Sequence, residues 1–98
     1  MILVRLVFQA KFGKGGELAA NFKAAEQALT SAMRGRNYRL LTDLSGPYDT
    51  VVQQMEYESI QAFLDDMERM FADPRVRDSA MQGADLIQGG YKEYYTIE

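Results

Sequence analysis

The sequence predicts an α+β fold, a four-stranded antiparallel sheet with its connecting helices on one face. Three observations carry this. Apolar residues alternate with period two at the start of the chain and again across residues 38–57. They recur at spacings of three and four over 18–33 and over 60–71. Gly- and Pro-bearing punctuation separates these stretches. Period two marks strands and period 3.6 marks amphipathic helices, so the order reads β-α-β-β-α-β with one extra short helix.

The first strand is expected over 2–12, where Ile2, Val4, Leu6, Phe8, Ala10 and Phe12 share one parity. "GKGG" (13–16) reads as a loop. Leu18, Phe22, Ala25, Leu29 and Met33 then form a helical stripe, with Gly35 as its stop. Tyr38, Leu40, Thr42 and Leu44 alternate with Arg39, Leu41 and Asp43, a second strand. "SGPY" (45–48) is a turn, because glycine tolerates positive φ and proline cannot continue a ladder. Val51, Gln53, Met55 and Tyr57 against Val52, Gln54 and Glu56 give a third strand paired with the second as a hairpin.

Ser59 is placed to cap the next helix, whose stripe is Ile60, Phe63, Leu64, Met67, Met70 and Phe71. "DDMER" (65–69) reads as its solvated side. Asp73 and Pro74 start a new short helix with Val76, Ala80 and Ala84 on one side. "QGG" (88–90) reads as its stop and "YKEYYTI" (91–97) as the last strand. This order matches the ferredoxin-like split βαβ arrangement. The chain of 98 residues is expected to be one domain, 1–98.

Composition excludes several function classes. Eleven basic against fourteen acidic residues give a net charge of −3, the wrong sign for nucleic acid or an anionic membrane as partner. The aromatic third-strand motif of an RNA-recognition domain is missing from "TVVQQMEY". No cysteine means no disulfide framework, zinc ribbon or thiol nucleophile, and no histidine means no imidazole base or ligand. No metal site and no cofactor are expected. "MILVRLVFQAKF" does not read as a secretory leader, since Arg5 and Lys11 interrupt it. A cytoplasmic location is the expectation.

One sheet face should carry Leu3, Arg5, Val7 and Gln9, then Arg39, Leu41 and Asp43, then Val52, Gln54 and Glu56. That mixture is too apolar for water and too charged for an ordinary core, so a second copy or a ligand is expected to cover it. The parity of the last strand stays open.

The run "LLTDLSGPYDTVVQQMEYES", with "KFGKGGEL" before it and "FLDDMERMFADP" and "KEYYTI" after it, resembles the NIPSNAP-like branch of the dimeric α+β-barrel superfamily. The resemblance covers nearly the whole chain. It implies a homodimer whose two sheets pack face to face, in a superfamily whose barrels hold small organic ligands or haem. Antibiotic-biosynthesis-type monooxygenases, haem-degrading oxygenases and lactone isomerases belong to the same superfamily. The Asn/Trp/His sets of oxygenase branches have no counterpart here, because Trp and His are absent.

Asp43 and Glu56 are the catalytic candidates, as carboxylate bases, and Arg5, Arg39, Tyr48 and Gln54 the ligand-binding candidates. The alternative is internal pairing, with Arg5 and Glu56 facing each other across neighbouring strands. Tyr48, Tyr91, Tyr94 and Tyr95 either line a flat pocket or fill interface area. Met55, Met67, Met70 and Met81 suit core packing or a plastic groove. "GKGG" leads into a helix N-terminus that attracts anions, though it lacks P-loop spacing. The expected function is a homodimeric protein binding a small organic ligand in a cavity at the sheet face, between sheet and helices. A cofactor-free monooxygenase or isomerase and a structural or regulatory interaction module are the alternatives. A real pocket separates the first two from the third.

Overall fold

The computed structural model describes residues 1–29 and 35–98. Its elements are β1 (Ile2–Ala10), α1 (Gly15–Leu29), β2 (Arg36–Thr42), β3 (Thr50–Tyr57), α2 (Ile60–Phe71), α3 (Pro74–Ala84) and β4 (Ile87–Thr96). The strands form one antiparallel sheet in the order β2-β3-β1-β4. This is the ferredoxin-like α+β arrangement. None of the described helices is long and apolar enough to cross a membrane.

The register fixes the two faces. Val4 lies opposite Met55 and Tyr94, and Phe8 opposite Val51 and Gly90. This face meets the helices. Arg5 lies opposite Gln54 and Glu93, and Val7 opposite Val52 and Tyr91, on the open face. Tyr91, Glu93 and Tyr95 therefore point away from the helices, which settles the parity of β4.

The core is two clusters rather than one. Val4, Met55, Tyr57 and Phe63 pack together toward α2, with Leu6, Tyr38 and Met67 around them. Ala10, Leu18, Ala19 and Val51 pack toward α1, with Phe8, Phe22 and Ile87 around them. Burying an aliphatic or aromatic side chain of this kind stabilises by about 1.5–3 kcal/mol.

Both expected helix caps are present. Ser59 Oγ accepts from the Ala62 N–H at 3.1 Å, and Asp73 Oδ1 accepts from the Arg75 N–H at 2.9 Å, with Pro74 opening α3.

Other expectations are corrected. β1 stops at Ala10, not Phe12. The Lys11 N–H turns to the Leu86 carbonyl and the Lys14 N–H to the Lys11 carbonyl, which ends the ladder. Phe12 is left 82% exposed, its ring 5.7 Å from that of Tyr48. β4 starts at Ile87, so "QGG" lies inside the strand. A Cβ on Gly90 would sit 2.6 Å from the Val7 carbonyl oxygen, so this glycine marks a close strand approach rather than a helix stop.

In α2 the buried residues are Phe63 and Asp66, while Ile60, Leu64 and Phe71 stay about half exposed. "DDMER" is thus not wholly solvated. Asp66 points inward because the Tyr57 hydroxyl and Arg69 satisfy it. In α3, Gly83 is buried with Val76, whereas Ala80 and Ala84 are exposed. The side chains of Leu29 and Met33 lie outside the described residues, as does the segment before the expected Gly35 stop.

Candidate functional site

Because the two core clusters do not merge, they leave a cavity of about 210 Å³ between sheet and helices. Leu6 and Met55 from one cluster and Phe8 and Phe22 from the other line it. The Phe8 and Phe22 rings stand 5.0 Å apart. Met67, Met70 and Phe71 close it from α2, and Val76 and Ala80 from α3. At the α1–α3 contact, Asn21 Nδ2 donates to the Ser79 carbonyl at 3.3 Å.

This apolar wall carries one charged group, Glu26 on α1, beside Tyr38 on β2 and Gln53 on β3. The Tyr38 hydroxyl donates to Glu26 Oε1. Burial first, and then the Glu26 carboxylate, hold this hydroxyl well above the ordinary tyrosine range, while Gln53 pulls it partly back. Tyr38 is therefore a neutral donor throughout the physiological range. Gln53, Tyr38 and Glu26 form a short polar line on a mostly apolar surface, to which Asn21 and Ser79 add polar groups at the α1–α3 contact.

Sequence reasoning missed all three as site residues, although Glu26 and Gln53 each left a signal. Glu26 lies four positions after Phe22, on the inward side of α1. Gln53 sits between Val51 and Met55 on the helix-facing parity of β3, where an amide needs a polar partner. Met55, Met67 and Met70 reconcile the two readings offered for the methionines, since they are packed inside and also line the cavity; Met81 is 74% exposed.

The residues singled out from sequence lie elsewhere. Arg5 Nη1 pairs with Glu93 Oε1 at 2.6 Å, and Tyr95 donates to the other Glu93 oxygen. The Arg5–Glu56 pairing is thereby corrected. Arg5 faces Gln54 in the register, and Glu56 accepts instead from Asn37 Nδ2 at 2.9 Å. Asn37 has φ +53 within the register irregularity between Arg36 and Arg39. Arg39 is exposed and lies opposite Gln54. Asp43 follows β2 rather than lying within it, and its Oδ1 accepts from the Thr50 N–H at 3.0 Å, holding the hairpin turn. Tyr48 is 74% exposed, and its carbonyl accepts from Gln9 Nε2. Arg5, Arg39 and Gln54 thus share the open face with Glu56, Asp43 and Tyr48 belong to the hairpin turn, and none of the six lines the cavity.

The α1 N-terminus has its own anion. Asp49 Oδ2 accepts from the Gly13 N–H at 2.7 Å and Oδ1 from the Gly15 N–H at 3.1 Å. Among the described residues no group of three or more His, Cys, Asp or Glu stands together as a metal site.

Residues 5–96 match the NIPSNAP family. The chain belongs to the NIPSNAP family. Solved NIPSNAP structures agree with this fold. An uncharacterized NIPSNAP domain protein from Burkholderia xenovorans superposes with a TM-score of 0.85 at 18% identity, covering 100% of this chain and 95% of that one. A NIPSNAP family protein from Agrobacterium tumefaciens gives 0.84 at 15% identity, covering 99% and 92%. A Chloroflexus aurantiacus protein assigned as an antibiotic biosynthesis monooxygenase gives 0.75 at 16% identity, covering 99% and 93%. At such identities the likeness is one of fold. No curated protein matches this NIPSNAP chain.

Proposed function

We propose that this NIPSNAP protein is a homodimer that holds a small organic ligand in the cavity between its sheet and helices. The observation that carries the ligand reading is the cavity itself, about 210 Å³ with a mostly apolar wall crossed by the Gln53–Tyr38–Glu26 line. Ligand sites are mostly apolar hollows with a few placed polar groups. This one is smaller than most, which points to a small ligand. An interaction module has no use for such a hollow.

Dimerisation is supported by the open sheet face. Tyr91 is 62%, Tyr95 47% and Leu41 36% exposed there, on the face opposite the described helices. Val7 and Val52 are already only 7% exposed in the single chain, so the aromatic rim and Leu41 supply most of the apolar area left to bury. Sedimentation at micromolar concentration tests this half. A chain that stays monomeric ends it. Native mass spectrometry and thermal shift against a library of small neutral organics test the other half, with a raised midpoint and a bound mass as the expected result.

A second reading, turnover of the ligand without a cofactor, has one observation in its favour. Glu26 is a carboxylate on an apolar wall, where a base would act on a bound ligand. Oxygen uptake with small phenols, absent in Glu26→Gln, is its test.

A further inference from the structure

Resting on the cavity as a ligand site, we infer that it selects a neutral, roughly single-ring molecule bearing one hydroxyl and rejects the corresponding carboxylate. Two independent features of the cavity support this, its size and its charge.

Size comes first. A dry apolar cavity of roughly 150 Å³ accommodates benzene in another protein. At about 210 Å³ this one has room for a ring with a short substituent. Phe8, Phe22 and Phe71 supply aromatic surface, and Met55, Met67 and Met70 adapt to the ligand's outline.

Charge comes second. Of the described residues lining the cavity, none is basic and one, Glu26, is acidic. A carboxylate ligand would lose water, find no cation among the described lining residues and face a like charge. A hydroxyl differs on every count. It can donate to Glu26, a charge-assisted bond strengthened by the apolar surroundings. It can also accept from the Gln53 amide, which lies on the same polar line. A carboxylate accepts through several lone-pair sites, so donation from Tyr38 does not exhaust Glu26. An ammonium gains an ion pair with Glu26, but its charge loses water on entry and its three N–H donors each need an acceptor, which offset that gain.

The test is isothermal titration of the full chain at pH 7 with 4-ethylphenol, ethylbenzene, 4-ethylbenzoate and 4-ethylbenzylamine. The phenol should bind about tenfold or more tighter than ethylbenzene, as a charge-assisted hydrogen bond gives. The benzoate should bind weakest, and the amine below the phenol. Glu26→Gln should shrink the phenol's advantage and the penalty on benzoate together. Tyr38→Phe should keep both, since the carboxylate remains. Ethylbenzene binding as tightly as the phenol would overturn this inference while leaving the cavity as a ligand site. A preference for benzoate or for the amine would overturn it too, and so would a phenol preference lost in Tyr38→Phe but kept in Glu26→Gln. Failure of all four probes would remove the ligand reading as well. The wild-type series decides the matter even if neither variant folds.

Discussion

The carboxylate of Asp49, in the β2–β3 hairpin, caps α1 from a distance by accepting the N–H of Gly15 at 3.1 Å and that of Gly13 at 2.7 Å. A helix start needs an acceptor, and here a residue 34 positions away provides it. The contact is tight, because a Cβ on Gly15 would stand 2.8 Å from Asp49 Oδ1 and 3.0 Å from the Asp49 Cα. Asp49 itself holds φ +61, a region that Asn also tolerates. Asp49→Ala should therefore cost about 1–2 kcal/mol, through the lost cap and the strained backbone, and Asp49→Asn clearly less. Gly15→Ala should destabilise as well, by pushing the hairpin off the helix. Urea denaturation of the three variants is the check, and a neutral Asp49→Ala would remove this account.

That cap also answers what "GKGG" does. The segment leads into a helix N-terminus, as its composition says, but the anion is internal. Nothing local in "GKGG" points to a residue beyond the hairpin turn. The order of the elements, the Ser59 and Asp73 caps and the helix-facing parity of β1 and β3 were all legible, because each rests on local periodicity or local capping. The candidate site was not. Charge on the open face drew the reading toward Arg5, Asp43 and Glu56, and the structure gives each of these a partner within the sheet or its hairpin. The cavity forms where two core clusters fail to meet, and that depends on packing between distant segments. Glu26 and Gln53, polar at inward-facing positions of α1 and β3, were its visible traces.

Tyr57 and Asp66 join β3 to α2. The hydroxyl donates to a carboxylate that is 0% exposed, and Arg69 pairs with the same group. Tyr57→Phe should lower stability by about 2 kcal/mol, the scale of a hydrogen bond to a charged group. Equilibrium unfolding measures it, and a loss below about 0.5 kcal/mol would show that Asp66 needs no help from Tyr57.

Stability should fall in alkali. Burial, then the hydrogen bond to the neighbouring carboxylate, raises the hydroxyls of both Tyr38 and Tyr57 well above their ordinary value. Below about pH 10, the ordinary tyrosine value, both are protonated in either state and their contribution is complete. Above it the unfolded chain loses these protons while the folded chain keeps them. The folded state then binds more protons, so the free energy of unfolding drops as pH rises. Denaturation midpoints between pH 9 and pH 11.5 should decline, and replacing both tyrosines by phenylalanine should flatten the decline. An unchanged slope in that double variant would assign the alkaline loss to other groups.

Filling the cavity should separate binding from stability. Ala25 lines it from α1 and is half-buried. Ala25→Leu adds three heavy atoms toward a hollow of about 210 Å³, so the added side chain has space that a close-packed core would deny it. Apolar surface gained there offsets the cost of ordering the side chain, and the denaturation midpoint should stay within about 1 kcal/mol of the parent or rise. The remaining volume is too small for a substituted ring, so binding of 4-ethylphenol should be lost. Calorimetry and urea denaturation on the same preparation decide it. Binding retained at parental affinity would place the ligand outside this cavity. A large loss of stability would show that the hollow closes in solution and that α1 already sits nearer the sheet.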